Sequence, residues 1–148
     1  MLYPQSTAYA IEALGLLAAL PPGKSIKVRE LAQQLDIPEQ YLAKVLSQLV
    51  RKKFVNSTKG PTGGFSLAVE PANVTLYRIM AALDSLSKLE DECCMGLRVC
   101  SPVTPCAFHD HWLKFKEQVI AKAQQLTLAD LSRLVVGKLA SAPRSDRT

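Results

Sequence analysis

The chain has 148 residues, 48% of them hydrophobic and 21% charged, proportions that suit one domain with a sizeable core and exclude wholesale disorder or a multidomain enzyme. Eighteen Lys and Arg against thirteen Asp and Glu leave a net charge of +5, a modest excess that favours an anionic partner. Between Met1 and Gly23 only Glu12 is charged. That stretch lacks a basic start and is interrupted by Gln5, Ser6, Thr7 and Tyr9, so it reads as neither signal peptide nor membrane span, and the expected location is the cytoplasm.

Ser6 to Leu20 carries good helix formers and stops at Pro21-Pro22-Gly23, which no helix continues through. In Lys27 to Leu35 the apolar set Val28, Leu31, Ala32 and Leu35 has helical spacing, and Asp36-Ile37-Pro38 breaks it. A third helix starts beside Pro38. There Leu42, Val45, Leu46 and Leu49 mark one core face, and Gln40, Ala43, Lys44, Ser47 and Arg51 lie opposite. Two apolar runs follow, Phe54 to Thr58 and Phe65 to Val69, joined by Lys59-Gly60-Pro61-Thr62-Gly63-Gly64, whose glycines allow the positive φ of a hairpin turn.

Thr75 to Leu89 reads as one helix, and Cys93 to Pro105, broken by Gly96, Pro102 and Pro105, as loop. Beyond it Trp112, Phe115, Val119, Ala123 and Leu126 step by three and four along a helix from about Asp110 to Gln125. A shorter helix begins near Thr127. Ser141 to Thr148 is polar, with Pro143, and is expected to be a disordered tail.

The fold class expected is therefore mainly α with a small β-hairpin, a winged helix-turn-helix followed by a long C-terminal dimerisation helix. Its expected parts are a DNA-binding domain over 1–83, a Cys/His loop over 84–109, the dimerisation and C-terminal helices over 110–140, and the tail over 141–148. In this architecture the second helix of the motif enters the major groove. The charges agree. Lys24 to Lys59 contains eight basic residues against Glu30, Asp36 and Glu39, a local net of +5 that equals the whole formal excess. A run such as Arg51-Lys52-Lys53 is also what a solvated helix end favours through its dipole. The candidate DNA contacts are Arg29, Gln40, Tyr41, Lys44, Ser47 and Arg51, with Lys59, Gly60, Pro61 and Thr62 on the wing; the expected partner is double-stranded DNA with a palindromic operator, read by a homodimer.

Cys93, Cys94, Cys100 and Cys106 fall on or beside that loop, with His109 just beyond. In a reducing compartment, clustered thiols more often bind metal than form disulfides. Three or four thiolates with an imidazole satisfy zinc or an iron–sulfur cluster. The spacing is unlike a zinc ribbon, because five residues separate Cys94 from Cys100 and again Cys100 from Cys106. Either Cys93 or Cys94 is available as the first ligand, and either His109 or His111 as the last.

Taken together these residues resemble the Rrf-two family of bacterial winged-helix regulators, which includes IscR-type cluster-sensing and NsrR-type nitric-oxide-sensing repressors. The resemblance rests on Tyr9-Ala10, Tyr41-Leu42, Gly60-Pro61-Thr62-Gly63-Gly64-Phe65 and Thr127-Leu128-Ala129-Asp130-Leu131. Above all it rests on Cys94-x5-Cys100-x5-Cys106-x2-His109, which looks like the IscR-type ligand set. It implies a transcriptional regulator, most simply a repressor, with a 2Fe-2S cluster on Cys94, Cys100, Cys106 and His109, and with zinc as the alternative metal. Two positions depart from the pattern. Ala8 stands where NsrR-type members place an acidic ligand, with Glu12 one turn further, and Ala43 stands where IscR-type members carry a Glu that discriminates operators. No Ser-His-Asp set or phosphate-binding glycine loop points to an enzyme. The rival reading is a zinc-stabilised interaction module whose Cys/His loop is purely structural; an electron-transfer protein would have no use for the basic face and wing.

Overall fold

The computed structural model describes residues 2–141, so the expected tail lies outside the described residues except for Ser141. Seven helices and one hairpin follow in the order α1 (Gln5–Ala19), α2 (Val28–Leu35), α3 (Glu39–Arg51), β1 (Val55–Thr58), β2 (Gly64–Leu67), α4 (Leu76–Ala82), α5 (Ser85–Asp91), α6 (His109–Gln125) and α7 (Leu128–Ser141). No helix among the described residues is long and apolar enough to cross a membrane.

Leu20, extended at φ −71° and ψ 150°, ends α1 before the two prolines. The helix is buried almost all round, with Thr7, Ala10, Ile11, Ala13, Leu14, Gly15, Leu16 and Leu17 inside. Asp36 takes the left-handed conformation at φ 55° to close α2, and Pro38 then opens α3. The buried residues of α3 are Leu42, Val45, Leu46 and Leu49, the four that the periodicity marks. β1 and β2 pair antiparallel from Val55 opposite Leu67 to Thr58 opposite Gly64. Ile26 makes an isolated bridge to the other edge of β2: its N–H donates to the Phe65 carbonyl at 2.9 Å and its carbonyl accepts from the Phe65 N–H at 2.8 Å. Gly64 has to be glycine there, because a Cβ would lie 2.5 Å from the Ile26 carbonyl oxygen.

One expectation is corrected. Thr75 to Leu89 is not a continuous helix: Asp84 adopts φ 55° and separates α4 from α5. The break sets Ser85 against α1, where its hydroxyl and that of Thr7 share a buried hydrogen bond of 2.5 Å. Asp and Ser compete with the helical backbone for hydrogen bonds, so Asp84-Ser85 is a natural place to interrupt. The segment expected to be loop over 84–109 therefore begins with a helix, α5.

Met80, Leu86, Leu89 and Ala123 form a second apolar cluster, with Trp112, Val119 and Ile120 packed against it. The stripe expected as a dimer seam is thus divided. Ala123 is 2% exposed inside the chain's own cluster, whereas Phe115 is 43% exposed and stacks on Trp112 with ring centroids 5.5 Å apart.

The last helix returns to the first. Gly15 meets Val135 so closely that a Cβ on Gly15 would lie 2.8 Å from Val135 Cγ2, and the Ser132 hydroxyl donates to the Gly15 carbonyl at 2.7 Å. Gly15→Val should therefore overpack the contact and destabilise the fold by about 1–3 kcal/mol, and Val135→Ala in the same chain should recover part of the loss; paired urea titrations check this.

Thr127 and Asp130 cap the start of α7 reciprocally: the Thr127 N–H donates to Asp130 Oδ2 at 3.0 Å, and the Asp130 N–H donates to Thr127 Oγ1 at 3.2 Å. The Thr127 N–H, the Thr127 hydroxyl and the Arg133 guanidinium hold the Asp130 carboxyl below its ordinary pKa of 3.8. A carboxyl lowered in the folded state stabilises above its unfolded pKa and loses that contribution as pH falls through the folded value. Asp130→Asn should thus differ from the parent in thermal melts at neutral pH, and the difference should shrink in acid.

Candidate functional site

The helix-turn-helix presents its polar side outward. Gln40, Tyr41, Lys44, Ser47 and Arg51 are all exposed along α3, a helix of about 20 Å, because the opposite face is committed to the core. Arg29 is exposed on the first turn of α2, and Lys59, Gly60, Pro61 and Thr62 are exposed at the hairpin tip. Gly60 takes φ 101° to make the turn. Tyr41 also packs edge-on against Tyr9 of α1, with ring centroids 5.3 Å apart at 84°, so its ring is held where α3 meets α1. One residue that holds the wing escapes the periodicity argument. Lys27 Nζ donates to the Gly60 carbonyl at 2.7 Å and fastens the hairpin tip to the start of α2. A lone lysine before a helix carries no sequence signal for such a strut.

Chain direction and two side chains from α6 bring the ends of the cysteine loop together. Trp112 Nε1 donates to the Glu92 carbonyl at 2.8 Å, and Lys116 Nζ donates to the Glu90 carbonyl at 2.6 Å. Both carbonyls belong to the last turn of α5 or the residue after it, where helical partners run out and a cation is favoured by the dipole. Cys93 and Cys94 follow at once. At the other end α6 opens on His109, whose N–H donates to the Cys106 carbonyl at 3.1 Å.

Between these ends the thiols converge. Cys93, Cys94 and Cys106 place their sulfurs within 4.8 Å of one another, and the Cys93 and Cys106 sulfurs are 3.6 Å apart. Cys100 Sγ lies 3.2 Å from His109 Nδ1. His109 Nε2 is buried and has no hydrogen-bond partner among the described residues. An unsatisfied buried nitrogen is rare enough to mark a place where something else binds. His111 is exposed, and the imidazole that meets a thiol is that of His109. Cys94 is exposed, whereas Cys93, Cys100 and Cys106 are half-buried.

The thiols do not share one electrostatic environment. The Cys93 thiol is lowered to about 7, first by the Met95 backbone N–H and then, against desolvation, by the Leu97 N–H and the Cys106 and Cys100 thiols. Cys100 is raised: the Cys106 backbone N–H pulls it down, but desolvation and the thiols of Cys106 and Cys93 outweigh that pull. Soft thiolates and an imidazole within reach of one another suit iron–sulfur or zinc chemistry and do not suit a hard cation. Glu12 lies elsewhere, lining a cavity between α1, α2 and α7 with Tyr9, Leu35 and Lys138.

Comparison with known proteins agrees with this geometry. The Rrf2 family model, described as an iron-dependent transcriptional regulator, matches residues 3–133. A protein of Aquifex aeolicus (strain VF5) named as an HTH-type transcriptional regulator is 36% identical over 133 residues, 88% of this chain and 91% of its own length. The HTH-type transcriptional regulator IscR of Vibrio atlanticus is 27% identical over 126 residues, 84% of this chain and 71% of its own. Among solved structures, CymR, the global cysteine regulator of B. subtilis, superposes with a TM-score of 0.70 at 22% identity over 88% of this chain and 95% of that one. IscR of T. potens superposes with a TM-score of 0.67 at 23% identity over 96% and 92%. The structural likeness shows the winged-helix fold, and the family match spans helix-turn-helix, wing, cysteine loop and the first part of α7: the chain belongs to the Rrf2 family of DNA-binding transcriptional regulators, not to a family of enzymes.

Proposed function

We propose that the chain works as a cytoplasmic homodimer, a repressor that reads a palindromic operator through α3 and the wing, with operator affinity set by a 2Fe-2S cluster on the cysteine loop. The observation that carries this reading is the convergence of the Cys93, Cys94 and Cys106 thiols, with Cys100 against His109 and the His109 Nε2 left without a partner among the described residues, around the one segment that joins the winged domain to α6. Cys100, Cys106 and His109 are the proposed ligands with Cys94, the thiol at the family spacing, as the fourth; Cys93 stands beside it as an extra donor. When bound, such a cluster supplies a redox-active, ligand-exchangeable centre whose potential its surroundings tune. The chain's part is to hold the donors at the two clamped ends of the loop. Zinc would satisfy the same thiols and would make the loop structural only.

For DNA, α3 would lie in the major groove with Gln40, Tyr41, Lys44 and Ser47 toward base edges, while Arg29, Arg51 and the wing residues Lys59 to Thr62 meet the backbone. Phe115 and Leu113, exposed on α6 at 43% and 40%, are the apolar residues offered to a second subunit.

The anaerobic absorption spectrum of freshly purified protein tests the metal: visible charge-transfer bands support the cluster, and a colourless zinc protein overturns it. Cys100→Ala and Cys106→Ala should abolish the bands, and His109→Ala should leave an altered, more labile chromophore. Holo and apo protein should then differ in operator affinity, and equal affinity for every operator would reduce the loop to a structural element. Lys44→Ala should cost about 1–3 kcal/mol on the preferred operator and relax its sequence preference. Lys59→Ala should weaken all duplexes alike and flatten the salt dependence, as a phosphate contact requires. Gel-shift titrations at several salt concentrations separate the two.

A further inference from the structure

Cys93 stands outside the ligand spacing, yet the fold gives it a partner. Its sulfur is 3.6 Å from that of Cys106, thirteen residues on and itself a proposed ligand. Cys100, by contrast, is engaged by His109 Nδ1 at 3.2 Å, and Cys94, whose sulfur also lies within 4.8 Å of that of Cys106, is the exposed member of the group. A disulfide needs the sulfurs to close to about 2 Å. The remaining distance is short, and the segment between the two cysteines contains neither helix nor strand to resist it. A cavity of about 370 Å³ lined by Tyr3, Pro4, Lys88, Cys93, Cys94 and Trp112 opens beside Cys93 and is wide enough to admit a small oxidant.

We propose that Cys93 and Cys106 are a peroxide-oxidised dithiol in the metal-free protein, and that their disulfide withholds Cys106 from the metal until a thiol reductant returns it. Cys93 sulfur attacks one oxygen of hydrogen peroxide, the O–O bond breaks, and sulfenic acid and one water result. Cys106 sulfur then attacks the sulfenic sulfur, the S–O bond breaks, and a second water leaves with the Cys106 proton. Two thiols are oxidised and one peroxide is reduced to two waters. A dithiol reductant reverses the bond by exchange through a mixed disulfide. Formation of the bond depends only on the geometry above; its effect on metal uptake rests on the ligand reading already proposed.

The test uses the full chain, stripped of metal, reduced, and freed of reductant before one equivalent of hydrogen peroxide is added. Trypsin separates Leu89–Arg98, which holds Cys93 and Cys94, from Val99–Lys114, which holds Cys100 and Cys106, so non-reducing mass spectrometry reads a link between them directly. The linked peptide should lack two hydrogens, disappear in Cys93→Ser and Cys106→Ser, and persist in Cys94→Ser and Cys100→Ser. A link that survives Cys93→Ser, or that is lost in Cys94→Ser, overturns the proposal. In a second arm Co²⁺ reports the thiolate site through its charge-transfer absorption. Peroxide treatment should weaken Co²⁺ binding at least tenfold in the parent chain, dithiothreitol should restore it, and Cys93→Ser should bind equally before and after treatment. Undiminished binding by the oxidised parent overturns the regulatory half. Reduced parent protein that binds no Co²⁺ overturns the ligand reading instead, while the peptide map still decides the disulfide.

Discussion

The seat of α7 on α1 is the contact on which the arrangement of the rest depends. A glycine at 15 lets the two helices approach until Val135 fills the space a side chain would take, and Ser132 fixes the register by donating to the Gly15 carbonyl. α1 belongs to neither the helix-turn-helix pair nor the wing, yet it supplies the floor under both, since its buried face also meets the core of α3 and of β2. The segments around Val74 and Leu126 are tied by Leu76 N–H to the Leu126 carbonyl at 2.8 Å and by Leu128 N–H to the Val74 carbonyl at 2.7 Å. The C-terminal helices are therefore built onto the winged domain rather than tethered to it. Any change in α6 is felt against a fixed neighbour.

That placement gives the cysteine loop mechanical meaning. The loop leaves α5 and returns as α6, and both helices pack on the cluster around Met80, Leu86, Leu89 and Ala123. Lys116 is only 9% exposed, an unusual depth for a lysine, and its charge is met by the Glu90 carbonyl and by the Trp112 ring at 5.7 Å. A buried cation is tolerated when its donors are satisfied and a helix C-terminus faces it. The two ends of the cysteine loop are thus held by side chains that are not themselves candidate ligands, which would lower the ordering cost of binding a metal there.

Much of the fold was legible because it is locally encoded. The i, i+3, i+4, i+7 spacing of Leu42, Val45, Leu46 and Leu49 marks the buried face of α3, and the polar residues left over are its outer face by elimination. Gly60 to Gly64 announce a turn through the φ angles only glycine takes easily. What escaped is what tertiary contact decides. Asp84 breaks a helix that the apolar pattern carries through, because Ser85 finds a buried partner 78 residues away in Thr7. The Trp112 to Leu126 stripe has the spacing of a seam, but periodicity alone cannot say whether its partner is another subunit or the chain's own α4 and α5. In the cysteine loop, spacing identified the thiols, whereas the choice among Cys93 and Cys94, His109 and His111 turns on which way each side chain faces, and no spacing rule reports that.

The two thiols at 93 and 94 also show why an extra donor need not be redundant. Both sulfurs lie within 4.8 Å of that of Cys106, yet the two residues differ in exposure. Here the half-buried member is Cys93 and the exposed one is Cys94. The proposed ligand set and the proposed dithiol would then share Cys106, and the two uses would exclude each other. Regulation through such a site requires only that the loop with its donors gathered and the loop with one donor withheld differ in how they position α5 and α6, since a ligand that binds two arrangements equally shifts neither. Trp112 and Lys116, which join α6 to the carbonyls just ahead of Cys93, are the side chains through which that difference would reach α6.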